Sequence, residues 1–110
     1  MYLPKTDIFE SLKTLNYYVS QTQPPVFNKL PAIIFRVGNN APEYDLDNNI
    51  LSQDVEIQID IWADKSETAS NVLSQVEEIM RKNYYKMSFS NDVPNISNLY
   101  HIVSRFTKLI

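Results

Sequence analysis

Cysteine is missing from this 110-residue chain, and glycine occurs once, at Gly38. The first absence removes disulfide frameworks, thiolate metal sites and cysteine nucleophiles, and suits a reducing compartment. The second removes the Gly-rich phosphate loops of P-loop and dinucleotide-binding proteins. Histidine also occurs once, at His101. The usual zinc site needs more than one such ligand, so His101 reads as a structural or surface residue. Ser20, Ser66 and the other hydroxyls carry no local nucleophile signature. No apolar run approaches the ~18 residues of a membrane span. Met1-Tyr2-Leu3-Pro4-Lys5 has neither the basic nor the apolar segment of a signal peptide. Ten Lys and Arg stand against thirteen Asp and Glu, a net charge of −3. That balance argues against a protein that binds nucleic acid by neutralising phosphates. Arg36, Lys86, Arg105 and Lys108 read as scattered bases, not a stripe.

Aromatic residues are plentiful, with seven Tyr, five Phe and one Trp. This exceeds what a small core easily hides, and the surplus reads either as ordinary rim residues or as interface surface. The length predicts one domain over residues 1–110, burying roughly 65% of the unfolded chain's surface on folding.

The strongest pattern lies at residues 54–83. Val55, Ile57, Ile59 and Ile61 alternate with Glu56, Gln58 and Asp60. Side chains of a strand point alternately to its two faces, so this is a strand with one aliphatic and one acidic, polar face. From Ala69 the period changes. Ala69, Val72, Leu73, Val76, Ile79 and Met80 recur three and four apart, the stripe of an amphipathic helix. Asp64 and Glu67 are spaced as a capping box at its start.

Ile8, Leu12, Leu15 and Val19 predict a first helix over residues 6–21, capped by Thr6-Asp7 and ended by Pro24-Pro25. An extended connection follows at residues 26–29, then a strand over residues 30–37 with Pro31 at its start. Residues 38–42 and 47–49 are turn chemistry, with Asn48-Asn49 suited to left-handed geometry. Between them residues 43–46 form a short strand or a loop, so that residues 39–49 make a polar, mobile section. Later, residues 84–89 alternate as a strand, residues 90–95 form a turn, and residues 98–110 form a last strand with apolar groups on both faces. The order α-β-(β)-β-α-β-β predicts an α+β fold, a single antiparallel or mixed sheet of about 4–5 strands with two helices on one face.

Asp54, Glu56 and Asp60, with Asp45 and Asp47 nearby, are the only chemistry-like cluster. Pro42-Glu43 and Glu56-x-Gln58 echo the acid, acid-x-lysine pattern of restriction-endonuclease-like magnesium nucleases. Gln58, however, stands where lysine should support the attacking water.

The succession of an N-terminal helix, Leu-Pro-Ala-Ile-Ile-Phe, a polar hairpin, Val-Glu-Ile-Gln-Ile-Asp-Ile-Trp and Ala-Ser-Asn-Val-Leu-Ser-Gln-Val-Glu-Glu-Ile-Met resembles the tail terminators of long-tailed phages and prophages. That family, lambda-type, includes tail-completion and tail-to-head joining proteins. The resemblance spans almost the whole chain and rests on arrangement, not on a catalytic signature. It implies a non-enzymatic virion subunit without cofactor or metal. Such a subunit closes a hexameric ring on the tail tube, docks the head connector and lets DNA pass through an axial channel without specific binding. Acidic groups lining that channel would repel the DNA backbone. Asp45, Asp47, Glu56, Gln58 and Asp60 are the candidate lumen or subunit-contact residues. The alternatives are the magnesium nuclease, using Glu43 and Glu56, and a generic α+β interaction module.

Overall fold

The structure, a computed structural model, describes residues 4–21, 30–93 and 99–109, with Asn39 described by its backbone alone. Its elements are α1 (Pro4–Lys13), β1 (Tyr18–Gln21), β2 (Ala32–Tyr44), β3 (Ile50–Ala63), α2 (Ser66–Lys82), β4 (Lys86–Val93) and β5 (Tyr100–Leu109). The strands form one mixed sheet in the order β1-β2-β3-β5-β4. β1 runs parallel to β2 and every other neighbouring pair is antiparallel. The α+β fold expected from the periodicities is therefore present.

The alternation in β3 sets the layers. Val55, Ile57, Ile59 and Ile61 have no exposed surface, and in register beside them lie Ile33 and Phe35 of β2 and Ile102 and Phe106 of β5. Ile8 and Leu12 of α1 and Ala69, Val72, Val76 and Met80 of α2 close over this face in one core. At roughly 25 cal/mol per Å2, burial of this aliphatic layer is the main term holding the two helices to the sheet. Ser104 is the polar intruder at the centre, and its hydroxyl donates to the Ile59 carbonyl at 3.0 Å. That bond removes the penalty of a buried unsatisfied hydroxyl.

The first helix is shorter than its apolar stripe predicts. It ends at Lys13, after which Leu15 and Asn16 donate to the carbonyls of Leu12 and Lys13 and Asn16 takes φ 63°. Asparagine tolerates this left-handed stop better than most residues. Tyr18 and Val19, β-formers, then build β1 instead of a last helical turn, and Val19 reaches the same core from a strand. At the other end the described helix is already present at Pro4, so Thr6 and Asp7 lie inside it and do not cap it, with Asp7 in its first turn. The capping box at α2 is also absent: Lys65 is the N-cap and makes no side-chain cap bond. The extra strand of the sheet is thus β1; Glu43 and Tyr44 are the end of β2 and not a separate strand.

β2 does not turn at residues 38–42. It continues through them to Tyr44, with a bulge between Val37 and Asn39 that absorbs Gly38. The only reversal is at residues 45–49, where Asn48 has φ 63° and the Asp45 amide donates to the Asn49 carbonyl at 2.9 Å. Left-handed Asn48 is as its residue type predicts. The residues expected as a polar loop are therefore mostly the paired strands of a long hairpin. β5 accompanies β3 only as far as the Asp54–Leu109 pair. Beyond it, among the described residues, only β2 and β3 pair, and the hairpin forms an arm. With a radius of gyration of 15.0 Å and extents of 54 × 25 × 23 Å, the molecule is longer than a compact domain of its size, for which about 13 Å is usual.

β4 likewise runs through Ser90 to Val93, where a turn was expected, with a bulge between Met87 and Phe89. It needs no covered face, because it is the end strand of the sheet and nearly all its residues are exposed. The expected extended connection at residues 26–29 lies outside the described residues, as does the end of the turn expected at residues 90–95.

Candidate functional site

With the helices on one face, the other face of the sheet is left open, and it carries three of the five residues singled out in the sequence. Glu56, Gln58 and Asp60 project there in a row along β3, each half-buried. Gln58 Nε2 donates to Asp60 Oδ1 at 3.1 Å. The cross-strand register adds what spacing could not reveal. Arg36 and Arg105 flank Gln58 from β2 and β5. Two of the bases that read as scattered thus meet on either side of the acidic row, so this face carries both signs of charge.

At the end of the row Trp62 and His101 are register partners and their rings stack, with centroids 3.8 Å apart and planes 11° from parallel. His101 Nε2 lies 3.2 Å from Asp60 Oδ2. That nitrogen is nonetheless without a hydrogen bond, so the approach is electrostatic and becomes an ion pair only with a protonated imidazole. Ser20 shares the row through Ile34, but it stands two strands from Asp60, about 10 Å by strand spacing. The Trp62–His101 contact is not legible in the sequence, because residues 63–100 separate the two and only the β3–β5 register brings them together.

Asp45 and Asp47 are not part of this face; they sit at the tip of the arm. Asp45 Oδ1 accepts the amides of Asp47 and Asn49 at 2.9 and 2.8 Å. The Asn49 backbone bond is the main reason that the Asp45 carboxyl titrates below its ordinary value. Around the tip Tyr44, Leu46, Ile50 and Leu51 are exposed, Leu46 completely. The sequence offered the polar residues here as the signal; the apolar ones are what the hairpin leaves in water.

Glu43 and Glu56 do not converge. Glu43 is opposite Ser52, whose hydroxyl donates to it at 3.2 Å, while Glu56 is opposite Asn39. Four residues along β3 separate the two levels, about 13 Å at the usual rise per residue. Glu56 instead lies over the backbone of Gly38, where a Cβ would stand 3.2 Å from its Oε1. Among the described residues, no group of three or more His, Asp or Glu is placed to hold a metal ion. No protein-family model matches the chain, and no curated protein matches it in sequence.

Proposed function

We propose that this chain is a non-enzymatic assembly subunit of the phage tail terminator kind, one that closes a ring on the end of a tail tube and contributes to the joint with the head. The observation that carries this reading is the arm. A projection with four exposed apolar residues at its end, Tyr44, Leu46, Ile50 and Leu51, offers a docking surface to another molecule. The open face of the sheet supports the same reading, since Trp62, His101 and Ile34 give it an apolar floor among charges of both signs. On this reading homo-oligomerisation, contact with tube and connector proteins and passage of DNA follow as properties of the ring, and the protein resides in the virion.

The test is direct. Tail tube protein is polymerised with and without the purified chain, and tube lengths are measured by negative-stain electron microscopy. A terminator shortens the tubes and leaves a ring visible on one end. Tubes of unchanged length with bare ends overturn the proposal.

A further inference from the structure

The arm carries one sign of charge. No Lys or Arg occurs between Arg36 and Lys65, while Glu43, Asp45 and Asp47 surround its apolar tip. The far edge of the sheet is the reverse. After α2, whose Arg81 and Lys82 pair with Glu77 and Glu78, the chain to its last residue has Lys86, Arg105 and Lys108 against Asp92 alone. Along that edge Tyr84, Met87, Phe89 and Leu109 are exposed, beside Lys86 and Arg105. The Arg105 guanidinium lies 5.3 Å from the Phe89 ring.

Tyr84 stands out among them. α2 ends with the amide of Tyr84 bonded to the Arg81 carbonyl at 3.0 Å and that of Tyr85 bonded to the Met80 carbonyl at 2.9 Å. This is the Schellman arrangement, in which the residue after the C-cap is left-handed and usually glycine. Here it is Tyr84, at φ 67° and 82% exposed. Tyr85, the next residue, fills the core contact with Met80 that normally accompanies the motif. A bulky residue in this conformation is strained, and its side chain packs no core in return. Among the described residues the Lys108 ammonium approaches the ring, at 5.9 Å. The fold would be served better by glycine, so the tyrosine serves something outside the fold.

We infer that the border of the sheet at Tyr84 and β4, with Lys86, Phe89 and Arg105 on the open face and Met87 on the helix face, receives the acidic, apolar arm of a second copy of this chain. Charge complementarity selects the occupant: both surfaces expose apolar side chains, and the arm is acidic where the edge presents Lys86 and Arg105. The two surfaces differ, so the contact is head-to-tail, and copies joined this way close into a ring when the rotation between them allows. Among the described residues nothing pairs with the outer side of β4. The inference deepens the assembly-subunit reading and rests on it.

Its test uses the whole chain in three variants, with mass measured by light scattering and sedimentation. Tyr84→Gly is expected to raise the thermal midpoint or leave it unchanged, while weakening self-association at least about tenfold, as loss of an interfacial tyrosine anchor does. Reversal of the arm (Glu43→Lys with Asp47→Lys) and reversal of the edge (Lys86→Glu with Arg105→Glu) should each abolish self-association at low salt. Mixing the two should restore it, because each then offers the other a matching pair. Variants that assemble like the wild type, or reversed chains that stay apart when mixed, overturn the arm-to-edge contact and leave the terminator proposal standing. A wild-type chain that stays monomeric at high concentration, and in the presence of tube protein, removes both.

Discussion

Asp45 is the residue whose ionisation the fold uses. Its carboxylate closes the tip by accepting the Asp47 and Asn49 amides, and its pKa is depressed chiefly by the Asn49 backbone bond. A group with a lowered folded pKa adds stability that is complete above its unfolded value and is lost as pH falls through the folded one. The tip should therefore loosen only in acid, below the ordinary carboxylate range. In a nuclear magnetic resonance titration the Asp47 and Asn49 amide resonances are expected to move together in that window. In Asp45→Asn that titration disappears, while the hydrogen-bond acceptor is retained. Asp45 was visible in the sequence as part of an acidic turn. That it grips two amides was not, because the grip depends on the φ of Asn48.

At the scale of elements, periodicity predicted what burial decides. β3 and α2 have their apolar faces where the alternation and the stripe put them, since one face of each is wholly covered. Prediction failed where burial is one-sided or absent. The stripe of α1 continued into Val19, yet Asn16 stops the helix and Tyr18 and Val19 pair with Ala32 and Ile33. Turn-forming residues 38–42 stayed in a strand because β3 supplied a continuous partner. Asn16 is the hinge of the first error, and it can be tested. Asn16→Val should cost about 1–2 kcal/mol, the penalty for a left-handed residue with an ordinary side chain, seen as a lower urea midpoint. Asn16→Gly should be neutral or stabilising. Of the candidate site, the acidic row was legible from alternation alone. Its arginine flanks, the Trp62–His101 stack and the separation of Glu43 from Glu56 needed the register between strands, which no single segment carries.

For the whole molecule, the distribution of apolar surface matters more than its amount. The helices spend their apolar faces on one side of the sheet, and most of the large apolar residues left exposed lie at the arm tip and the β4 edge. Both are suited to broad contact, and both carry charged neighbours. Assembly built on such surfaces should be salt-sensitive, because exposed charges beyond about 8–10 Å are screened at ordinary ionic strength.

The kink in β4 has a consequence of its own. An unpaired border strand is a template on which further strands can stack, and an irregularity with lysine beside it is a common way to spoil that template. Between Met87 and Phe89 the ladder skips, with Lys86 adjacent. Deleting Ser88 should straighten the border into an unbroken ribbon, and the altered protein is expected to grow into thioflavin-positive fibrils at concentrations where the parent stays clear. A single surplus residue would then separate orderly, finite association from unlimited growth.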